Sequence, residues 1–134
     1  MNRIFADTSY FVALMLKNDD SHERALDLTS GFSGITVTTE WVFIELANYF
    51  GATIHRQRIG DLIDNLRRQP RVHIITANAT DFERGFLLFK ARPDKLWSLV
   101  DCISIELARG LDISDILTSD HHFTQAGFNA LLIP

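Results

Sequence analysis

The segment "RIFADTSYFVALMLK" (residues 3–17) carries the pattern from which the rest of the chain can be read. "RIFA" (3–6) suits a short strand. It runs directly into Asp7, Thr8 and Ser9, and then into an apolar stretch that predicts a helix over about 9–17. Outward from this joint the same alternation repeats. "NDDSHERALDL" offers Asp20 or Ser21 as N-cap of a second helix, and "GFSG" closes it in a turn. "ITVT" (35–38) is β-branched and predicts a second strand, with Thr39 capping a third helix. Ile59, Leu62, Ile63 and Leu66 fall at i, i+3, i+4 and i+7, which predicts a helix over about 56–68 that Pro70 ends. "VHIIT" (72–76) is a third strand. Thr80 and Glu83 have capping-box spacing ahead of "FERGFLLFKA". Ser98 can cap a helix that reaches about Arg109. "DILTS" (115–119) is a fourth strand, "DHHFTQAG" a short turn or helix, and "ALLI" (130–133) a fifth strand.

Strands that alternate with helices predict an α/β fold with a mainly parallel, five-stranded sheet and helices on both faces. No internal repeat, low-complexity tract or linker divides the chain, so residues 1–134 read as a single domain. Hydrophobic residues make up 46% and charged residues 22%, the balance of a soluble globular protein. The longest apolar run, "YFVALML", is far shorter than the roughly 20 residues of a membrane span. It has no small-residue cleavage site behind it, so it is a poor signal peptide. A single cysteine, Cys102, excludes an internal disulfide, suits a small core position and points to a reducing, cytoplasmic setting. Net charge is −4, yet residues 56–95 hold nine of the 13 Lys and Arg against five acids. Arg56, Arg58, Arg67, Arg68 and Arg71 suit either a polyanion track or ordinary solvated helix faces that pair with Asp61 and Asp64.

In open parallel sheets, ligands bind beyond the carboxyl ends of the strands. Two acids follow strands directly: Asp7 after "RIFA" and Asp120 after "DILTS". Two more sit in apolar helices, Glu45 in "WVFIELANYF" (41–50) and Asp101 in "WSLVDCISIELA" (97–108). A buried lone carboxylate costs several kcal/mol unless something compensates it. Each acid has an ordinary explanation. Asp7 can be an N-cap, Asp120 a turn former, Asp101 a first-turn dipole acid, and Glu45 with Asn48 a thin solvent-facing strip. A shared site explains all four together. Carboxylates that converge in a partly dry place need protonation or a cation. Hard oxygen ligands select Mg²⁺ or Mn²⁺ over Zn²⁺, and such an ion suits phosphodiester hydrolysis by a metal-activated water.

At these residues the sequence resembles PIN-domain ribonucleases, and within them the VapC-like toxins of toxin–antitoxin pairs. "FADTSYFVALMLKNDDSHERALDL" is similar to that family's opening. "TTEWVFIELANYF" resembles its second segment with a mid-helix acid. "LWSLVDCISIELARGLDISDILTSDHHFTQAGFNALL" resembles its close, with Asp101 on a helix and Thr118, Asp120 and Phe123 in a Thr-x-Asp-x-x-Phe turn. The resemblance covers nearly the whole chain. It implies a three-layer α/β/α sandwich and a Mg²⁺ or Mn²⁺ cluster of Asp7, Glu45, Asp101 and Asp120. It also implies hydrogen-bonding support from Ser9 and Thr118, and endonucleolytic cleavage of RNA. The implied partners are a cognate antitoxin that blocks the site and a second copy in a homodimer. One departure stands out. Where many such domains carry another acid two residues after the last, this chain has His122, which bears on whether a second metal binds.

Rival readings leave weaker marks. His121 and His122 are adjacent and cannot share a helix face, so they read as polar turn residues, one of them within reach of a substrate phosphate. "HERAL" begins like a zinc-protease helix, but Leu26 stands where the second His is needed. "GFSGI" is not a nucleophile elbow, and no P-loop is present. A phosphate-receiver domain would need an acid pair after the first strand and a late Lys, and none follows Lys95. A dehalogenase-type phosphatase needs Asp at position 9, which is Ser9. The remaining alternative is a PIN-like module that has lost catalysis and only binds RNA or protein. Trp41, Phe43, Tyr49 and Phe50 exceed what one helix face requires, which leaves core packing or a dimer or antitoxin surface open.

Overall fold

A computed structural model describes residues 2–134. Five strands form one sheet in the order β3-β2-β1-β4-β5, where β1 is Arg3–Ala6, β2 Ile35–Thr39, β3 Val72–Ile75, β4 Asp115–Leu117 and β5 Asn129–Ala130. Every pairing is parallel, with Phe5 opposite Val37 on one side and Ile116 on the other. Seven helices fill the connections: α1 (Thr8–Met15), α2 (His22–Gly31), α3 (Glu40–Phe50), α4 (Arg56–Arg68), α5 (Ala79–Ala91), α6 (Leu99–Gly110) and α7 (His121–Gln125). The expected α/β fold with a parallel sheet is therefore present. The chain runs outward from β1 through β2 to β3, and then returns to β4 on the other side of β1. The direction of winding switches between β1 and β4. That is where a crevice opens at the carboxyl ends of the strands.

The central strand is buried because both faces are covered. Phe5 and Ala6 have no exposed surface, and Phe11, Leu46, Ile105, Ile116 and Phe123 fill the space around them. His22 ties α2 to α1, since its Nδ1 donates to the Ala13 carbonyl at 2.6 Å. Cys102 is a buried core side chain, and burial pushes its thiol up to about 11. The packing of α5 on α6 depends on Gly85, which lies directly against the Ile103 backbone. No described helix is long and apolar enough to cross a membrane.

Several element ends differ from expectation for identifiable reasons. α1 stops at Met15, because Leu16 is extended and its N–H closes the helix on Val12. Ser21 stands at the N-cap of α2 without a side-chain cap bond, and Asp19 accepts from the Ser21 N–H instead. The Thr80–Glu83 pair does not cap α5. Asn78 does, accepting from Asp81 N at 2.9 Å, because the chain leaves β3 early enough to start the helix at Ala79. β4 ends at Leu117, and Thr118 and Ser119 leave the ladder. β5 is only Asn129–Ala130, although Leu131 N and Leu132 N still bond the Ile116 and Thr118 carbonyls.

Candidate functional site

Asp7 sits at the end of the central ladder, where its N–H donates to the Leu117 carbonyl at 3.1 Å. Its side chain is buried, and two hydroxyls hold one of its oxygens. Thr118 Oγ1 donates to Asp7 Oδ2 at 2.9 Å, and Ser9 Oγ donates to the same atom at 3.1 Å. Ser9 and Thr118 also touch each other at 3.0 Å. Asp120 N donates to Thr118 Oγ1 at 3.0 Å, so a single threonine links both strand-end acids. The departure of Thr118 from β4 thus has a local cause, the polar partners it meets beside β1.

Asp101 is buried at the third position of α6. It takes part in a reciprocal cap: Asp101 N donates to Ser98 Oγ, and Ser98 N donates to Asp101 Oδ2, each at 3.0 Å. This fixes the carboxylate at the positive end of the helix. Glu45 is half-buried on α3, whose start is fixed by Thr39 accepting from Val42 N. Thr8 Oγ1 donates to Glu45 Oε1 at 2.5 Å and binds the helix to the β1–α1 joint. Asp120 caps α7 by accepting from His122 N at 2.9 Å.

All four acids named from the sequence line one cleft of about 280 Å³, together with Thr8, Ser9, Asp19, Tyr49 and Ser119. A cleft of about 460 Å³ beside α2 is larger, but among the described residues Arg24 and Asp27 are its only charged lining. In the acidic cleft each carboxylate is held through one oxygen: Asp7 and Asp101 through Oδ2, Glu45 through Oε1, Asp120 through Oδ1. No side chain among the described residues donates to the second oxygen of any of them. A hard cation needs such a set of fixed oxygens with lone pairs to spare, so the donor set fits Mg²⁺ or Mn²⁺.

The electrostatics agree. Burial, reinforced by the neighbouring Asp101 and Glu45 carboxylates and opposed by the Thr118 hydrogen bond, pushes Asp7 up to about 7. Burial also raises Glu45, against the Thr8 hydrogen bond and with help from Asp101 and Asp120. Acids that hold on to their protons lack a positive partner.

The structure changes the reading of several residues. His121 is exposed, as a turn residue should be, but His122 is not merely a turn residue. Its Nδ1 lies 2.8 Å from Asp101 Oδ2 and 3.3 Å from Asp120 Oδ1. Thr8, Asp19 and Tyr49 were not singled out as site residues. Thr8 had a signal, since it stands between Asp7 and Ser9 in the same joint. Tyr49 had one too, since it follows Glu45 by four residues on the same face of α3, whereas Asp19 had none, because only the tertiary fold brings it to the cleft. Phe43 and Phe50 are core side chains, whereas Tyr49 is exposed and Asn48 faces solvent. Of the basic residues in α4, Arg67 approaches Asp64 at 4.0 Å, and both are exposed.

Thr118→Val is the sharpest test of the hydroxyl network. It keeps the shape and removes one donor to Asp7 and one acceptor for Asp120 N. Unfolding in urea is expected to show a loss of about 1–3 kcal/mol, the cost of leaving a buried polar group unsatisfied. Equal stability of Thr118→Val and wild type would show that the network carries no weight.

Comparison with known proteins places this geometry. The family model described as PIN domain matches residues 4–129. No curated protein matches in sequence. A crystal structure of Mycobacterium tuberculosis VapC20, described as a sarcin-ricin loop cleaving toxin, superposes with a TM-score of 0.84 at 23% identity, covering 93% of this chain and 95% of that one. The crystal structure of VapBC2 from Rickettsia felis, bound to a DNA fragment from its promoter, superposes with a TM-score of 0.66 at 15% identity, covering 96% of each chain. At these identities the superpositions speak for the fold, and the family model spans almost the whole sequence. The chain belongs to the PIN domain family.

Proposed function

We propose that residues 1–134 act as one domain, a divalent-metal-dependent endoribonuclease that serves in the cytoplasm as the toxin of a toxin–antitoxin pair. The observation that carries this reading is the set of four carboxylates in one cleft, each tethered through one oxygen and with no side-chain donor on the other among the described residues. Membership of the PIN family supports it, as does the likeness to a VapC20 structure described as a toxin that cleaves the sarcin-ricin loop. A cation held by Asp7, Glu45, Asp101 and Asp120 would offset charge on the phosphate and activate water for attack.

The chain's own residues set the conditions for that chemistry. Ser9 and Thr118 orient Asp7, Thr8 orients Glu45, and the Ser98 cap orients Asp101. None of these need reorganise when substrate arrives, the condition for electrostatic stabilisation at low cost. Tyr49 stands exposed at the cleft and offers a ring face on which an unpaired base can stack. Arg56 and Arg58 lie exposed just beyond α3, where they can meet the RNA backbone. Ile44 and Tyr49 leave large apolar surface on α3 for an antitoxin that covers the cleft, and a second copy of the chain completes a homodimer. The likeness to VapBC2 of Rickettsia felis supports an antitoxin partner by analogy. A module that only bound RNA or protein would gain nothing from burying Asp7 beside Asp101.

Purified protein is expected to cut RNA internally with Mg²⁺ or Mn²⁺ and to stop on addition of EDTA. Activity should return when excess Mn²⁺ is restored. Cleavage that continues unchanged in EDTA would overturn the metal-dependent reading.

A further inference from the structure

His122 brings an imidazole nitrogen against two of the four cleft carboxylates, Asp101 and Asp120. It lies in α7, one residue beyond His121, which is exposed where His122 is partly buried. His122 Nδ1 stands 2.8 Å from Asp101 Oδ2 and 3.3 Å from Asp120 Oδ1. One ligand atom each from Asp101, Asp120 and His122 falls within 4.8 Å of the others. The two His122 distances are close to those between neighbouring ligands of a small octahedral ion. With ligands about 2.1 Å from the ion, neighbouring ligand atoms lie about 3 Å apart.

The backbone holds this geometry from two sides. Asp120 caps α7 through His122 N, so the residue that supplies the carboxylate also fixes the start of the helix that supplies the imidazole. Asp101 is locked by its reciprocal bonds with Ser98. The ring itself is partly exposed, with 27% of its side-chain surface accessible, so it can exchange a carboxylate partner for an ion without unpacking the core.

We propose that His122 is a ligand of the catalytic cation, and that its nitrogen turns the site towards Mn²⁺ over Mg²⁺. This rests on the metal-dependent reading given above and adds a nitrogen donor to it. Mg²⁺ favours an all-oxygen shell, whereas imidazole suits the first-row transition ions, so one nitrogen among carboxylates shifts selectivity without abolishing Mg²⁺ binding.

The test is spectroscopic and needs no turnover. Mn²⁺ is titrated into the full-length protein, and binding is followed by loss of the free-ion electron paramagnetic resonance signal. Pulsed measurements on the bound ion then read nitrogen coupling. The expected result is a directly coordinated nitrogen-14 signal in wild type that disappears in His122→Asp. The same substitution should lower the preference for Mn²⁺ over Mg²⁺, measured by calorimetric competition, on the order of tenfold. Tightly bound Mn²⁺ with no nitrogen coupling in wild type would overturn the assignment of His122 and leave the carboxylate site standing. An unchanged Mn²⁺/Mg²⁺ preference in folded His122→Asp would overturn the selectivity claim. No Mn²⁺ binding at all would remove the metal-dependent reading itself, and His122's role with it.

Discussion

Asp7→Asn is expected to abolish RNA cleavage and, at the same time, to make the metal-free fold more stable at pH 8. The two effects share one cause. Asp7 is buried between hydroxyls and other acids, and its carboxyl is pushed from 3.8 up to about 7. An unfolded chain releases that proton near pH 4, whereas the folded chain holds it until near pH 7. The fold therefore has its full stability below about pH 4, loses it as the pH rises towards 7, and stays at the lower level above that. A shift of this size corresponds to about 4 kcal/mol at most. Asn removes the ionisation. It keeps an oxygen to accept from Ser9 and Thr118, so its benefit should appear at pH 8 and vanish at pH 4. Urea unfolding across this range should show a shallower decline for Asp7→Asn than for wild type, with some slope left because Glu45 is raised as well.

Divalent cation should reverse the comparison. It binds the ionised form, so saturating Mn²⁺ should stabilise wild type more at pH 8 than at pH 5 and leave Asp7→Asn little changed. In cleavage assays the variant should fall by roughly 10²-fold or more, the scale seen when a group that organises transition-state charge is removed. Equal cleavage by Asp7→Asn and wild type would remove Asp7 from the site. Parallel stability curves would show that its burial carries no electrostatic cost.

Asp7 was visible because it interrupts a regular pattern. A strand that ends in an acid, at the point where parallel sheets bind ligands, can be recognised without coordinates. The same holds for Glu45 inside "WVFIELANYF", where no core needs a charge. Thr8 accepts the task of holding that charge, and the 2.5 Å bond between them crosses 37 positions of sequence, so no local pattern announces it. His122 shows a different limit. That His121 and His122 cannot share a face was correct, but it does not say which of the two faces inward. The Asp120 cap decides that by setting the phase of α7, and Asp101 arrives from another helix. Ends of elements failed for similar reasons. Asn78 rather than Thr80 caps α5 because the exit from β3 sets where the helix can begin.

Gly85→Ala is expected to damage both stability and cleavage from a position outside the cleft. Alanine normally favours a helix over glycine by about 1 kcal/mol. Here the added Cβ would stand 2.3 Å from Ile103 Cγ1, 2.8 Å from its Cα and 2.9 Å from its N. A side chain can rotate away, but two of the three contacts are with the α6 backbone, so α5 and α6 must separate. Overpacking of this kind costs typically about 1–3 kcal/mol and occasionally more, which outweighs the propensity gain. A net loss of about 2 kcal/mol should lower the melting temperature by roughly 5–10 °C. Gly60→Ala is the control. Gly60 is in the middle of α4 with open space around it, so there the propensity gain should stand alone and the change should be stabilising. Asp101 lies two residues before Ile103 on the helix that must move. Cleavage by folded Gly85→Ala should therefore fall further than its folded fraction explains, while Gly60→Ala cuts as wild type does. If both alanines stabilise the protein alike, the close approach of α5 to α6 does not set the position of Asp101.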